Sequence, residues 1–311
     1  MNFFYYQLKL LRPRQWMKNL ALFTAAVFGG QLFDLDIFSK VFLGFVAFCM
    51  IASSTYIIND ILDVEKDKKH PFKKLRPIAS GKISQTHALI IFFILISISF
   101  AVSFELSLFF FLIALVYLLI QLLYSIIFKG IVIFDILFIA SGYILRIFAG
   151  EVLSGYHISV WLLLTTISLS LFLAVGKRRS ELTLLQNITG SHIADVRKSL
   201  THYSERLLDS YSIMFATSTL VFYSLFTFLE STRGIKVPDI FLPQFLPDYL
   251  QRKWLMITIL PVTYGVMRYI QDIYEKSEGE SPERVLLSDK SLLASVIIWA
   301  VLVVFVIYVI E

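Results

Sequence analysis

The stretch FVAFCMIASSTYIINDILDVEKD, residues 45–67, decides how this chain is read. Up to Ile58 it carries no charge and has the composition of a membrane helix, and then Asn59, Asp60, Asp63 and Asp67 follow in quick succession. If the helix continues past the membrane edge, the aspartates sit at i, i+3 and i+7, within roughly 60° on one face, with Asn59 beside them. Carboxylates so close repel and raise one another's pKa values. They form either a solvated helix end, common where helices leave a bilayer, or a hard-oxygen ligand set of the kind that suits Mg2+.

The rest of the chain behaves like its quoted segment. Of 311 residues, 57% are apolar and only 16% charged, against roughly 25% charged in soluble domains; the mean hydropathy is +0.75. Apolar windows long enough to cross a hydrocarbon core of about 30 Å recur near 20–35, 40–58, 88–103, 106–127, 131–150, 158–176, 211–230, 254–271 and 291–310. The expectation is an all-α polytopic membrane protein of about nine transmembrane helices, forming a single membrane domain over 1–311. Residues 1–18 lack a small-residue cleavage site and combine aromatic and basic residues, so they are expected as an uncleaved amphipathic helix on the membrane surface. Cys49 is the single cysteine, which excludes an internal disulfide and a thiolate metal site within one chain.

Lys and Arg set the orientation. One set of connections holds Lys9, Arg12, Arg14 and Lys18, seven basic residues from Lys66 to Lys82, Lys129, six from Lys177 to Arg206, and Arg268 to Lys290. The opposite set holds Lys40, Arg233, Lys236, Arg252 and Lys253. The N-terminus is expected in the cytoplasm and the C-terminus outside, in a plasma (inner) membrane, with a cavity open to the cytoplasm. Two long charged connections, 59–87 and 177–209, are the candidate active-site loops. They hint at two similar bundles, although no residue-level repeat supports a duplication. The net charge of +5 suits anionic headgroups and substrates. Nucleic acid is not expected as a partner, because the basic residues are spread over membrane-proximal loops.

Beyond the aspartates comes KKHPFKKLRPIASGKIS, residues 68–84, with Lys73 and Arg76 in a basic loop and a turn at Ser80-Gly81. Acidic and basic clusters side by side at a membrane mouth are what a metal diphosphate requires, the carboxylates for the metal and the cations for phosphate oxygens. The pattern N-D-x-x-D-x-x-x-D followed by R-P-x-x-S-G, at 59–67 and 76–81, resembles the first signature of the UbiA prenyltransferase superfamily. Four further blocks narrow the resemblance: RPRQWMKN at 12–19, YSIIFKGIVIFDILFIASGYILRIFAG at 124–150, GKRRSEL at 176–182 and RYIQDIYEKSEGESPERVLLSD at 268–289. Together they are similar to the decaprenyl-phosphate phosphoribosyltransferase branch, and the similarity extends over about 11–305.

That resemblance implies a membrane-embedded enzyme that moves a 5-phosphoribosyl group from phosphoribosyl pyrophosphate to a polyprenyl phosphate, with Mg2+ held by Asn59, Asp60, Asp63 and Asp67. Membrane lipids are its surroundings and cell-envelope glycan precursors its expected product class. Where most prenyl-transferring relatives carry a second aspartate motif, this chain has Lys177, Arg178, Arg179, Ser180 and Glu181. These are either a phosphate clamp or an ordinary basic flank. Lys18, Lys73, Arg76, Tyr124 and Lys129 join Lys177 and Arg178 as candidate substrate ligands; a snorkelling lysine is the alternative for Lys129. Asp135 and Arg146 lie eleven residues apart on one stripe of the fifth span, where charge costs about 2.5–3.5 kcal/mol per residue on insertion scales. Asp135 is placed to reach ribose hydroxyls, and Arg146 is expected to be structural or to hold an internal partner. No histidine pair has metal-ligand spacing, and a phosphate acceptor, already anionic, needs no general base. Two other readings stay open: a prenyltransferase acting from a prenyl diphosphate on an aromatic or other acceptor, which would favour the missing second motif, and a transporter or lipid carrier with Asp135 and Arg146 as pathway residues.

Overall fold

Asp34 fixes the start of the longest apolar helix: its carboxylate accepts hydrogen bonds from the amides of Asp36 and Ile37 at 3.0 and 3.1 Å, satisfying donors that a helix N-terminus leaves orphaned. The helix that follows, α3 (Leu35–Leu62), has 28 residues and is about 42 Å long. It therefore exceeds a hydrocarbon core by about 12 Å, and the excess carries Asn59 and Asp60 to one end of the bundle. In this computed structural model, residues 2–69, 73–189, 198–229, 253–276 and 282–310 are described, and they contain helices and no strand. His70, His192 and the proline-rich 231–252 lie outside the described residues.

In chain order the helices are α1 (Asn2–Leu11), α2 (Thr24–Phe28), α3, α4 (Val64–Lys69), α5 (Gln85–Leu106), α6 (Leu108–Ile126), α7 (Phe134–Ser154), α8 (Val160–Thr189), α9 (Glu205–Leu229), α10 (Ile259–Lys276), α11 (Pro282–Ser288) and α12 (Lys290–Phe305). Seven are long and apolar enough to cross a membrane: α3, α5, α6, α7, α8, α9 and α12 extended to Val309. Ser107 alone separates α5 from α6, and its extended backbone (φ −173°) turns them into a hairpin. One packing cluster joins α3, α6 and α7 through Phe48, Ile51, Phe110, Tyr117 and Leu153. A second holds Phe172, Ala216, Tyr269 and Leu292 of α8, α9, α10 and α12 together. Phe93, Ile94 and Ile98 of α5 remain exposed, as an outward face bathed in lipid requires.

Two of the nine expected spans are built differently. The window at 254–271 is a 3-10 turn, Trp254–Thr258, followed by α10, whose later turns carry Arg268, Asp272 and Lys276. The window at 20–35 is displaced toward the N-terminus: Pro13–Phe23 winds as a 3-10 helix of 11 residues and continues into α2 of 5 residues. At 2.0 Å per residue for the first part and 1.5 Å for the second, the pair reaches about 30 Å, where a continuous α-helix would reach only about 24 Å. It begins beside Arg12, which meets Asp60 near the end of α3, and ends at Phe28, from which residues 29–33 lead to Asp34 at the start of α3.

The winding also sorts side chains, because in a 3-10 helix residues three apart eclipse. Trp16, Asn19 and Leu22 form a file that packs inward: the Trp16 indole donates to Ser53 Oγ at 3.0 Å, and Asn19 and Leu22 are fully buried. Gly150 of α7 makes this approach possible, since a Cβ there would lie 1.9 Å from Leu22 O. A second file carries Arg12, Gln15 and Lys18, tied by a 2.7 Å bond from Lys18 Nζ to Gln15 Oε1. Leu20, 53% exposed, belongs to the third file.

Candidate active site

Near Asp63, α3 stops. Asp63 is its C-cap (φ −95°, ψ 3°), the Asp67 amide donates to Asp63 O at 2.8 Å, and α4 sets off separately, so the single helix expected through Asp67 is broken at this residue. The break opens one wall of a cavity of about 490 Å³. From α1 and the 3-10 helix come Lys9, Arg12 and Gln15; from α3 and its C-cap, Thr55, Tyr56, Asn59 and Asp63. The basic loop contributes Lys73 and Arg76, the end of α6 Gln121, Tyr124 and Ser125, and the turn after it Lys129. Lys177 and Glu181 of α8 and Arg284 of α11 close the ring. Seven cationic side chains thus face two carboxylates, and among the described residues no histidine lines the wall.

The acidic residues are each held by cations. Lys129 Nζ donates a short bond to Asp63 Oδ2 and lies 3.4 Å from Asn59 Oδ1. Arg76 NH1 bridges Asp60 Oδ1 at 3.0 Å and Asp67 Oδ2 at 2.6 Å, and Arg12 NH2 meets Asp60 Oδ1 at 2.5 Å. Burial pushes the Asp67 carboxyl up, and Arg76 pulls against it. Burial works against the Arg12 charge, but Asp60, with a smaller contribution from Tyr56, more than offsets it and the guanidinium pKa is raised. Arg12 adopts a left-handed backbone (φ 52°), costly for a residue with a Cβ; Asp60 and the face of Tyr56, 4.8 Å away, hold it there.

Asn59, Asp63, Lys73, Arg76, Tyr124, Lys129 and Lys177 therefore reach the wall as expected, and five candidates do not. Asp60 and Asp67 lie behind the wall, 2% and 3% exposed, where they fix Arg12 and Arg76. Among the described residues no three His, Cys, Asp or Glu side chains are gathered closely enough to hold a metal, so the three aspartates do not converge on one point. Lys18 stands one side chain back, against Gln15, which also accepts from Tyr56 at 2.9 Å.

Arg178 and Asp135 are the other two, and both are fully buried. Arg178 Nε lies 2.9 Å from Asp135 Oδ2, while its other nitrogens reach Glu181 at 2.5 Å and the Tyr124 hydroxyl at 3.0 Å. Asp135 also accepts from Tyr203 at 2.8 Å, and the Tyr203 hydroxyl accepts the Ile133 amide at 2.7 Å. This last bond supports a β-branched residue at φ 69°, a strained conformation; burial and the neighbouring Asp135 raise the Tyr203 phenol pKa. Neither Asp135 nor Arg178 touches the cavity, which corrects their expected contact with ribose and phosphate. The cause is helical: α8 continues through 177–189 instead of forming a loop from Lys177, and successive residues on a helix point about 100° apart. Lys177 enters the cavity, Arg178 enters the α7 interface, and Arg179 goes to Asp209 of α9 at 2.9 Å and to the Tyr274 ring of α10 at 5.2 Å.

Several wall residues had no assigned role in the sequence: Lys9, Arg12, Gln15, Tyr56, Gln121, Glu181 and Arg284. Gln121 was findable, since Tyr117, Gln121 and Tyr124 sit at i, i+4 and i+7 in the otherwise apolar α6.

Comparison with known proteins follows this geometry. Residues 20–232 match the model of the UbiA prenyltransferase family. A decaprenyl-phosphate phosphoribosyltransferase of Mycolicibacterium smegmatis is 35% identical over 94% of this chain and 89% of its own length. One of Corynebacterium glutamicum is 34% identical over 97% of this chain and 86% of its own. Among solved structures, a UbiA homolog from Archaeoglobus fulgidus bound to GPP and Mg2+ shares the fold with a TM-score of 0.69 at 18% identity, covering 98% of this chain and 100% of that one. The same homolog bound to Cd2+ has a TM-score of 0.65 at 19% identity, covering 98% of this chain and 100% of that one.

Proposed function

Because the chain belongs to the UbiA prenyltransferase family, we propose that it transfers a 5-phosphoribosyl group from phosphoribosyl pyrophosphate to a polyprenyl phosphate and releases diphosphate. The observation that carries this reading is the wall of the cavity, where seven cations face two carboxylates. A donor with a diphosphate and a 5-phosphate, met by an acceptor that is itself a phosphate, presents more anionic oxygens than a prenyl diphosphate paired with a neutral aromatic. The names of the curated relatives agree with this chemistry.

Asn59 and Asp63 fit a divalent cation, for which Mg2+ is the proposed occupant: their side-chain oxygens already converge on one ammonium, and they are hard donors. Asp60 and Asp67 complete the proposed set if Arg12 and Arg76 both turn toward phosphate and release them. Bound there, the ion supplies charge neutralisation for the departing diphosphate. The chain's own residues do the rest. Arg76, Lys73 and Lys129 hold phosphate oxygens of the donor, and Lys177 with Arg12 and the nearby Lys18 orient the acceptor phosphate. The bond from ribose C1 to the diphosphate oxygen breaks, and a bond from C1 to an oxygen of the lipid phosphate forms. The acceptor arrives as an anion, so no side chain need remove a proton, in keeping with the absence of histidine from the described wall. Fixed electrostatics and proximity account for the rate. We place this single membrane domain in the plasma membrane with its N-terminus and cavity on the cytoplasmic side, where the soluble donor is found and an envelope glycan precursor would begin.

Purified protein is incubated with Mg2+, radiolabelled phosphoribosyl pyrophosphate and a short polyprenyl phosphate. Label moves into the organic phase, and chelation stops the transfer until Mg2+ is restored. Label that stays in water overturns the reading.

A further inference from the structure

Arg146 lies in the middle of α7 and is 4% exposed, yet among the described residues it forms no ion pair. Its three nitrogens donate to neutral groups: Nε to Asn19 Oδ1 at 2.6 Å, NH1 to Gly142 O at 2.6 Å and NH2 to the Tyr117 hydroxyl at 2.7 Å. The guanidinium also lies 4.8 Å from the Tyr117 ring centre. Its other partner, Asn19, spends its amide on Cys49 Sγ at 3.2 Å. Hydrogen bonds and a ring face solvate the charge without cancelling it. In a membrane interior a bare cation is expensive, and such residues pair or serve function. Elsewhere the same bundle answers this cost with carboxylates: Arg178 has Asp135, and Arg179 has Asp209.

Position gives the exception its meaning. A Cβ on Gly142 would lie 3.0 Å from Gln121 Nε2 and 3.2 Å from Arg146 NH1, so the two side chains meet over this glycine. Gln121 lines the cavity and Arg146 does not, which places the guanidinium one side chain beneath the cavity floor.

We propose that Arg146 is an electrostatic positioning residue, whose un-neutralised charge beneath the floor strengthens capture of the polyphosphate ligand, and that Asn19 serves as a deliberately neutral anchor for it. The proposal deepens the phosphoribosyl-transfer reading and rests on it for the identity of the ligand. A field of this kind falls off slowly in a low-dielectric medium, so it acts through Gln121 without contact.

Asn19→Asp is the discriminating variant. It keeps the oxygen that accepts from Arg146 Nε and adds a counter-ion, leaving the anchor intact while cancelling the field. We expect the full-length variant in detergent to melt no lower than wild type. Its affinity for inorganic diphosphate, measured by calorimetry with Mg2+ fixed, weakens about five- to tenfold, and KM for phosphoribosyl pyrophosphate rises in parallel while kcat changes little. A folded Asn19→Asp protein that binds diphosphate like wild type overturns the proposal. If Asn19→Asp does not fold, Arg146→Lys and Arg146→Gln decide: retained affinity in Lys and lost affinity in Gln supports the charge, and equal behaviour of the two overturns it. Diphosphate binding needs no turnover, so a wild type that fails to transfer phosphoribose would sink the functional reading without deciding this one.

Discussion

At the residue scale, Asp63 and Arg178 show two different uses of charge. Asp63 faces the cavity with Asn59 and Lys129. Asp63→Asn keeps its shape and removes a ligand charge, so turnover should fall by at least about a hundredfold, while membrane insertion and elution volume stay as in wild type; radiolabel transfer measures the first. Arg178 sits between two buried carboxylates, Asp135 and Glu181. Arg178→Met strands the fully buried Asp135, so it should cost about 3–5 kcal/mol in stability. The double variant Asp135→Leu with Arg178→Met should recover part of that loss, since Lys73 still pairs with Glu181, and detergent melting curves would display the recovery. The sequence exposed Asp63 and Lys129 because charge beside an apolar run is conspicuous. It did not separate Lys177 from Arg178, because spacing along one helix does not say which neighbour stands on each side. Asp60 and Asp67 were misplaced for a related reason: a helix drawn through the break at Asp63 puts all three carboxylates on one face.

At the scale of elements, the 3-10 helix from Pro13 to Phe23 couples the membrane-buried side of the protein to the cavity. Gly150→Ala would drive a Cβ into the Leu22 carbonyl, 1.9 Å away. The expected result is a loss of about 1–3 kcal/mol or more with a raised KM, since Arg12, Gln15 and Lys18 shift with the backbone; melting and steady-state kinetics on the same preparation test both. Hydropathy marked an apolar window near this segment but set it at 20–35, because window length assumes the α-helical rise. The strained Arg12 that begins it, and the eclipsed files that follow, are products of packing against α3 and α7 and leave no periodic trace in the sequence.

At the scale of the molecule, seven helices among the described residues qualify as spans by length and composition. Seven is odd, so the orientation we propose puts the termini on opposite sides of the membrane. Alkaline phosphatase fused after Glu311 should be active in the exported compartment, and the same enzyme fused after Lys69 should be inactive. Activity in the reverse pattern would invert the orientation we propose. The class and approximate span pattern were legible because hydrocarbon demands long apolar helices. The cavity was legible only in outline, because its wall draws on α1, α3, α6, α8 and α11, and no single stretch announces such a gathering.

One rod bearing two rows of teeth turns as a unit. Trp16, Asn19 and Leu22 mesh with the interior while Arg12, Gln15 and Lys18 stand toward the ligand, so a nudge to the first row reappears in the second. A mutational map scored by catalysis alone would therefore mark Trp16 and Leu22 as if they handled phosphate, and only a parallel map of folding would remove them from the site.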